Sequence, residues 1–170
     1  MQENARNADF WIEELNLQPH PEGGFFAEVY RSEETIPESA LPERFGGDHS
    51  FSTSIYYLLR SGEISRLHRL RADEVWHFYD GAPLNLVVIE NGNPREIRLG
   101  RDPRQGELLQ AVMPRGSWFG AWPAGADSYS LVGCTVAPGF EFDDLEFGDR
   151  AELVRDFPES REIVLRLTRG

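Results

Sequence analysis

The chain is poor in cysteine: Cys134 stands alone among 170 residues. A single thiol excludes an internal disulfide framework and any zinc site built on several cysteines. Long apolar runs are lacking too. The longest aliphatic stretch, Leu84 to Ile89, is interrupted by Asn85 and is far too short to span a bilayer. The opening MQENARNADFW has neither the basic start nor the apolar run of a signal peptide, so a soluble, cytoplasmic protein is expected. Positive charge is scarce, with 17 Lys and Arg against 29 Asp and Glu and a net charge of −12. Such a surface repels phosphate backbones and anionic lipid, which argues against nucleic-acid and membrane partners, although a local basic cluster can still hold an anion. Repeats, low-complexity tracts and charged tails are missing as well. What is present is a globular composition, 40% hydrophobic and 12% aromatic, at a length that fits one domain.

Helical signals sit only at the ends. Phe10, Trp11 and Leu15 give residues 9–15 the spacing of a short helix, and a tail over 149–167 has similar spacing split by Pro158. Between them the signals are those of strands. Phe25–Arg31, Thr53–Arg60, Ser65–Leu70, Val75–Tyr79, Leu84–Glu90, Arg95–Leu99, Glu107–Val112, Ser117–Trp122 and Ser128–Val136 are short and rich in β-branched and aromatic residues. Asn91-Gly-Asn-Pro94 marks a hairpin, and His20-Pro-Glu-Gly-Gly24 is a turn whose glycines supply unusual backbone angles. Many short strands at such spacing predict an all-β sandwich or barrel over about 20–147, within one domain of 1–170. Thr53–Arg60 is apolar on both faces, more than one core face uses, and from this a homodimer is expected.

Gly62, His68, Leu70, Glu74 and Gly81 form the pattern G-x5-H-x-L-x3-E-x6-G. At every spacing it resembles the first cupin motif, with Leu70 where a second histidine would stand. Pro114-Arg-Gly116 resembles the turn of the second cupin motif, with Leu108, Phe119 and Pro123 in place of its glycine, histidine and asparagine. The phrases HPEGG, IYYLL, HRLRADEVWHF and SLVGCTVAPGF, in this order from about Leu17 to Phe147, are similar to the cupin family of unknown function called cupin-5. That resemblance implies a double-stranded β-helix, a jelly-roll barrel with short terminal helices, similar to that of sugar-nucleotide epimerases. Fold alone does not assign an activity.

His68 and position 70 share strand parity and point into such a barrel, and Glu74 returns toward the same interior. In metal-bearing cupins three histidines and this glutamate meet on one ion; His68 and Glu74 alone remain here. Two ligands rarely hold a divalent ion, and His77 has the wrong parity to be a third, so no metal or other cofactor is expected. A histidine–glutamate pair without metal suits proton abstraction next to a carbonyl, with Tyr56, or else Tyr57, as the acid. The same pair could merely organise the barrel mouth by hydrogen bonding. Trp76, His77, Phe78, Trp118, Phe119 and Tyr129 are candidate ligand contacts, with barrel core as the ordinary alternative. His20 and Glu22 are assigned to the turn, His49 to the surface, and Glu141, Asp143 and Asp144 to a solvated acidic turn. The leading expectation is an isomerase or epimerase acting on a sugar-like small molecule. A non-catalytic ligand-binding or sensing module comes next, followed by a metal-dependent oxygenase and a storage-like protein.

Overall fold

Strand alternation sorts the side chains onto two facing antiparallel sheets in the computed structural model, which describes residues 6–169. One sheet has six strands, in the order β1 (Gln18–Pro19), β2 (Phe25–Arg31), β5 (Thr53–Arg60), β12 (Tyr129–Ala137), β7 (Asp73–Gly81) and β10 (Gln110–Met113). The other has five: β13 (Leu145–Phe147), β6 (Ser65–Leu70), β11 (Trp118–Pro123), β8 (Leu84–Glu90) and β9 (Asn93–Leu99). β3 (Thr35–Ile36) and β4 (His49–Ser50) make a separate small ribbon. From β5 to β8, and again from β9 to β13, each strand crosses to the opposite sheet, so the chain winds as a double-stranded β-helix, a jelly roll. No helix among the described residues is long and apolar enough to cross a membrane.

The barrel interior is filled from both sheets by Tyr57, Leu59, Trp76, Leu86, Val88, Met113, Phe119 and Val132. Helices cover the outer faces. Helix α1 (Ala8–Glu14), begun by an Asn7 side chain that accepts from the Phe10 amide, lays Trp11 over Leu58 and Leu131. Helices α2 (Arg150–Asp156) and α3 (Arg161–Leu167), separated by a short turn at Pro158, close over Leu67, Val87 and Trp118. The apolar character of β5 on both faces is thereby satisfied within one chain, by the core inside and α1 outside, and carries no argument for a dimer.

The hairpin between β8 and β9 turns on Asn91 (φ 51°) and Gly92 (φ 84°), the left-handed pair that a two-residue connection requires. Pro94 is tolerated because β9 is the edge of its sheet. The expected strand over Glu107–Val112 starts only at Gln110, because Glu107 is taken up by the Asp102 amide and the Arg98 side chain. His49 is a correction: it is buried, with Nδ1 donating to the Gly47 carbonyl at 3.0 Å and Nε2 2.7 Å from an Asp144 oxygen. Asp144 is likewise buried, so this acidic turn is only partly solvated.

Candidate active site

A pocket opens at one end of the barrel, with a cavity volume of about 70 Å³. Its floor holds His68 and Glu74, as the motif parity implied, but they are not each other's partners. His68 Nδ1 donates to the Arg66 carbonyl at 2.6 Å, which turns Nε2 toward the Glu22 carboxylate, 3.2 Å away. Glu22 comes from the glycine turn ahead of β2. Its Oε1 accepts from the Ser65 hydroxyl at 3.0 Å, and its own carbonyl accepts from the Arg66 amide at 2.9 Å, tying the turn to β6. His20 completes the group: its Nδ1 accepts from the Glu22 amide at 3.1 Å, leaving Nε2 as the position for its proton. Burial, partly offset by Glu22 and reinforced by His68, lowers the pKa of His20 below the usual histidine value, which keeps it neutral.

Glu74 is buried, and Trp76 Nε1 donates to its Oε2 at 2.7 Å. Burial, then the neighbouring Glu22 charge, pushes its pKa up to about 8 against the opposing pull of that hydrogen bond. Its Oε1 has no hydrogen-bond partner among the described residues, and Glu74 lines the pocket. Near neutral pH the floor therefore presents a protonated Glu74 carboxyl beside the Glu22–His68 contact.

The remaining candidates divide by strand parity. Trp76 and Phe119 stand behind the floor, with the Phe119 and His68 ring centroids 4.2 Å apart, and Phe78 lies deeper in the core. Five further residues contribute nothing to the pocket lining. Tyr56 points out of the sheet into the cluster under α1, and Tyr57 points inward but donates its hydroxyl to the Gly23 carbonyl at 2.8 Å. His77 meets Thr135 at 3.3 Å on the outer face. Trp118 packs in the cluster with α2 and α3, and Tyr129 donates to Asp80 at 2.8 Å beside Trp11. The walls come instead from Phe26, Ile55, Phe140 and Phe142. At the mouth Arg31 bridges Glu28 and Glu141, so Glu141 belongs to the pocket and not to a free acidic loop.

A jelly-roll barrel with a pocket at its mouth is the cupin architecture, and the comparisons agree. The family model described as "Cupin superfamily (DUF985)" matches residues 9–148, and the chain belongs to that family. It is 29% identical over 147 residues to an uncharacterized protein of Saccharomyces cerevisiae, spanning 80% of this chain and 72% of that protein. Among solved structures, a protein of Shewanella oneidensis is 39% identical, with a TM-score of 0.87 over 97% of this chain and 99% of its own. A hypothetical protein from Leishmania major is 35% identical, with a TM-score of 0.86 over 97% and 100% of the two chains.

The donor set does not fit the metal of metal-bearing cupins. Leu70 and Phe119 offer no ligand atom, Glu74 Oε2 is occupied by Trp76, and no group of three His, Cys, Asp or Glu among the described residues has the arrangement to hold an ion.

Proposed function

We propose that this cupin binds a small, sugar-like carbonyl compound in the barrel pocket and moves a proton on it, an isomerase- or epimerase-type reaction. The observation that carries the reading is Glu74, a buried acid whose pKa is raised to about 8 and whose open oxygen lies in the same pocket as the Glu22–His68 contact. The Glu22–His68 pair is the base: it takes the proton from the carbon next to the carbonyl, and the electron pair moves onto the carbonyl oxygen. Glu74 donates a hydrogen bond, then its proton, to that oxygen. Carbon is then reprotonated, by water on the other face that the pair's proton replenishes or by the pair itself at the neighbouring carbon, as Glu74 takes a proton back from the oxygen that becomes the carbonyl, so both groups end as they began. The apolar walls suit the C–H face of a sugar ring, and the polar floor suits its oxygen substituents.

Native mass spectrometry of the purified protein identifies any small molecule it retains. Incubation of that molecule with the protein in deuterium oxide should then place deuterium on carbon. His68→Gln and Glu74→Gln should each slow this by about a hundredfold or more, the ordinary loss on removing a general acid or base. A retained molecule that takes up no deuterium would leave a binding module and reject the enzyme.

A further inference from the structure

The charge around the pocket narrows what it can hold. Among the described residues Arg31 is the one arginine lining it, and its donors are already engaged. Nε and one Nη donate to Glu28 at 3.0 and 2.9 Å, the other Nη donates to Glu141 at 2.6 Å, and the Phe140 carbonyl accepts at 3.0 Å. Two carboxylates against one guanidinium leave the mouth with an uncompensated negative charge. The floor adds no unpaired cation: His68 Nε2 lies 3.2 Å from the Glu22 carboxylate, and His20 is held neutral. An incoming phosphate or carboxylate thus finds no free cation among the described residues of the pocket, and the like charge of Glu28 and Glu141 opposes its entry.

The walls favour the opposite class. Phe140 and Phe142 meet edge to face with centroids 5.1 Å apart, and His20 packs on Phe26 in the same way at 4.5 Å. Phe142 is 54% exposed although it lines the pocket, an apolar face without cover. Aromatic side chains beside carboxylates attract an ammonium through ring and charge together.

We infer that the pocket takes a small organic cation, with an ammonium head between the Glu74 floor and the Glu28–Glu141 mouth and a compact apolar body against Phe26, Phe140 and Phe142. This rests on the pocket being the ligand site proposed above and names the substrate class: an amine-bearing compound, not one carrying phosphate.

Three probes that share one ring and differ only in the head test it: benzylamine, benzyl alcohol and benzoate, titrated calorimetrically at pH 7 and low salt. Benzylamine should bind tightest and benzoate at least about tenfold weaker, with the gap shrinking as salt screens the mouth. Replacing Glu28 and Glu141 together by Gln should erase most of the preference, and Phe142→Ala should weaken the amine and the alcohol alike. Equal binding of the three, tighter binding of benzoate, no binding of any at millimolar concentration, or an amine preference that survives the double replacement would each overturn the inference. The proton-transfer reading fails separately: an amine seated in the pocket without deuterium exchange of the retained molecule rejects the chemistry alone, and exchange with a benzoate preference rejects the cation alone.

Discussion

A carboxyl group kept protonated near neutral pH weakens the fold that keeps it so. Glu74 ionises at its ordinary value when the chain is unfolded and at about 8 when burial and Glu22 surround it. Below the unfolded value both states hold the proton, and nothing is lost. As pH rises through that value toward 8, the unfolded state alone releases its proton and gains stability, so the native state weakens relative to it. At pH 7 the difference is roughly 3 kcal/mol, from the gap between the two values. Glu74→Gln keeps the shape and removes the titration, so urea unfolding should show it more stable than the parent at pH 7 to 8 and nearly equal at pH 4. Equal stability at every pH would mean that Glu74 is not held neutral. His68 and Glu74 were legible in the sequence as pocket residues, because motif spacing fixes strand parity. Their partners were not, because the contact of His68 with Glu22 joins an irregular turn to a strand, and no periodicity links the two.

Among the elements, the turn from His20 to Gly24 does most to assemble the site. The Gly23 amide donates to the His20 carbonyl at 3.0 Å, and the His20 amide donates to the Gly24 carbonyl at 2.9 Å. Gly23 has φ 119°, and a Cβ there would stand 2.1 Å from the Ile64 carbonyl oxygen. Gly62, the first glycine of the cupin pattern, has φ 84° with nothing within 4 Å of a Cβ. Gly62→Ala should therefore cost only the left-handed backbone, about 1 kcal/mol, while Gly23→Ala should cost roughly 3 kcal/mol or more and displace Glu22 from His68. Thermal melts of both variants, with calorimetric binding of benzylamine, separate the two effects; equal losses would show that the turn is not set by contact with the Ile64 backbone. The long strands were legible end to end: Phe25–Arg31, Thr53–Arg60, Ser65–Leu70 and Leu84–Glu90 lie where β-branched and aromatic residues placed them. β3, β4 and β13 are two or three residues long and were not, since so few residues carry no alternation.

Over the whole molecule, all 17 Lys and Arg positions are arginine; the sequence contains no lysine. Arginine suits its use here. Arg44, Arg60, Arg66, Arg69, Arg101 and Arg166 each lie over an aromatic ring, which a planar guanidinium does better than an ammonium. The acidic excess of the sequence is thus also an excess at the pocket mouth, where the one lining arginine is outnumbered by Glu28 and Glu141.

The placement of β12 between β5 and β7 bears on how the protein is made. A ribosome delivers β5 and β7 well before β12, so for much of synthesis both strands have an open edge facing the position that β12 will fill. The pocket waits still longer, since Arg31 meets Glu141 across 110 residues of chain. Nascent chains arrested with residues through 99 outside the ribosome should be cut readily by protease and ignore benzylamine. Chains exposed through 148 should resist protease and bind it, and early protection would show that β12 is dispensable for closing the barrel. Capture of the proposed ligand would therefore certify translation past β13: no shorter chain can acquire it, and a cell's supply of the ligand can rescue only molecules that have reached that length.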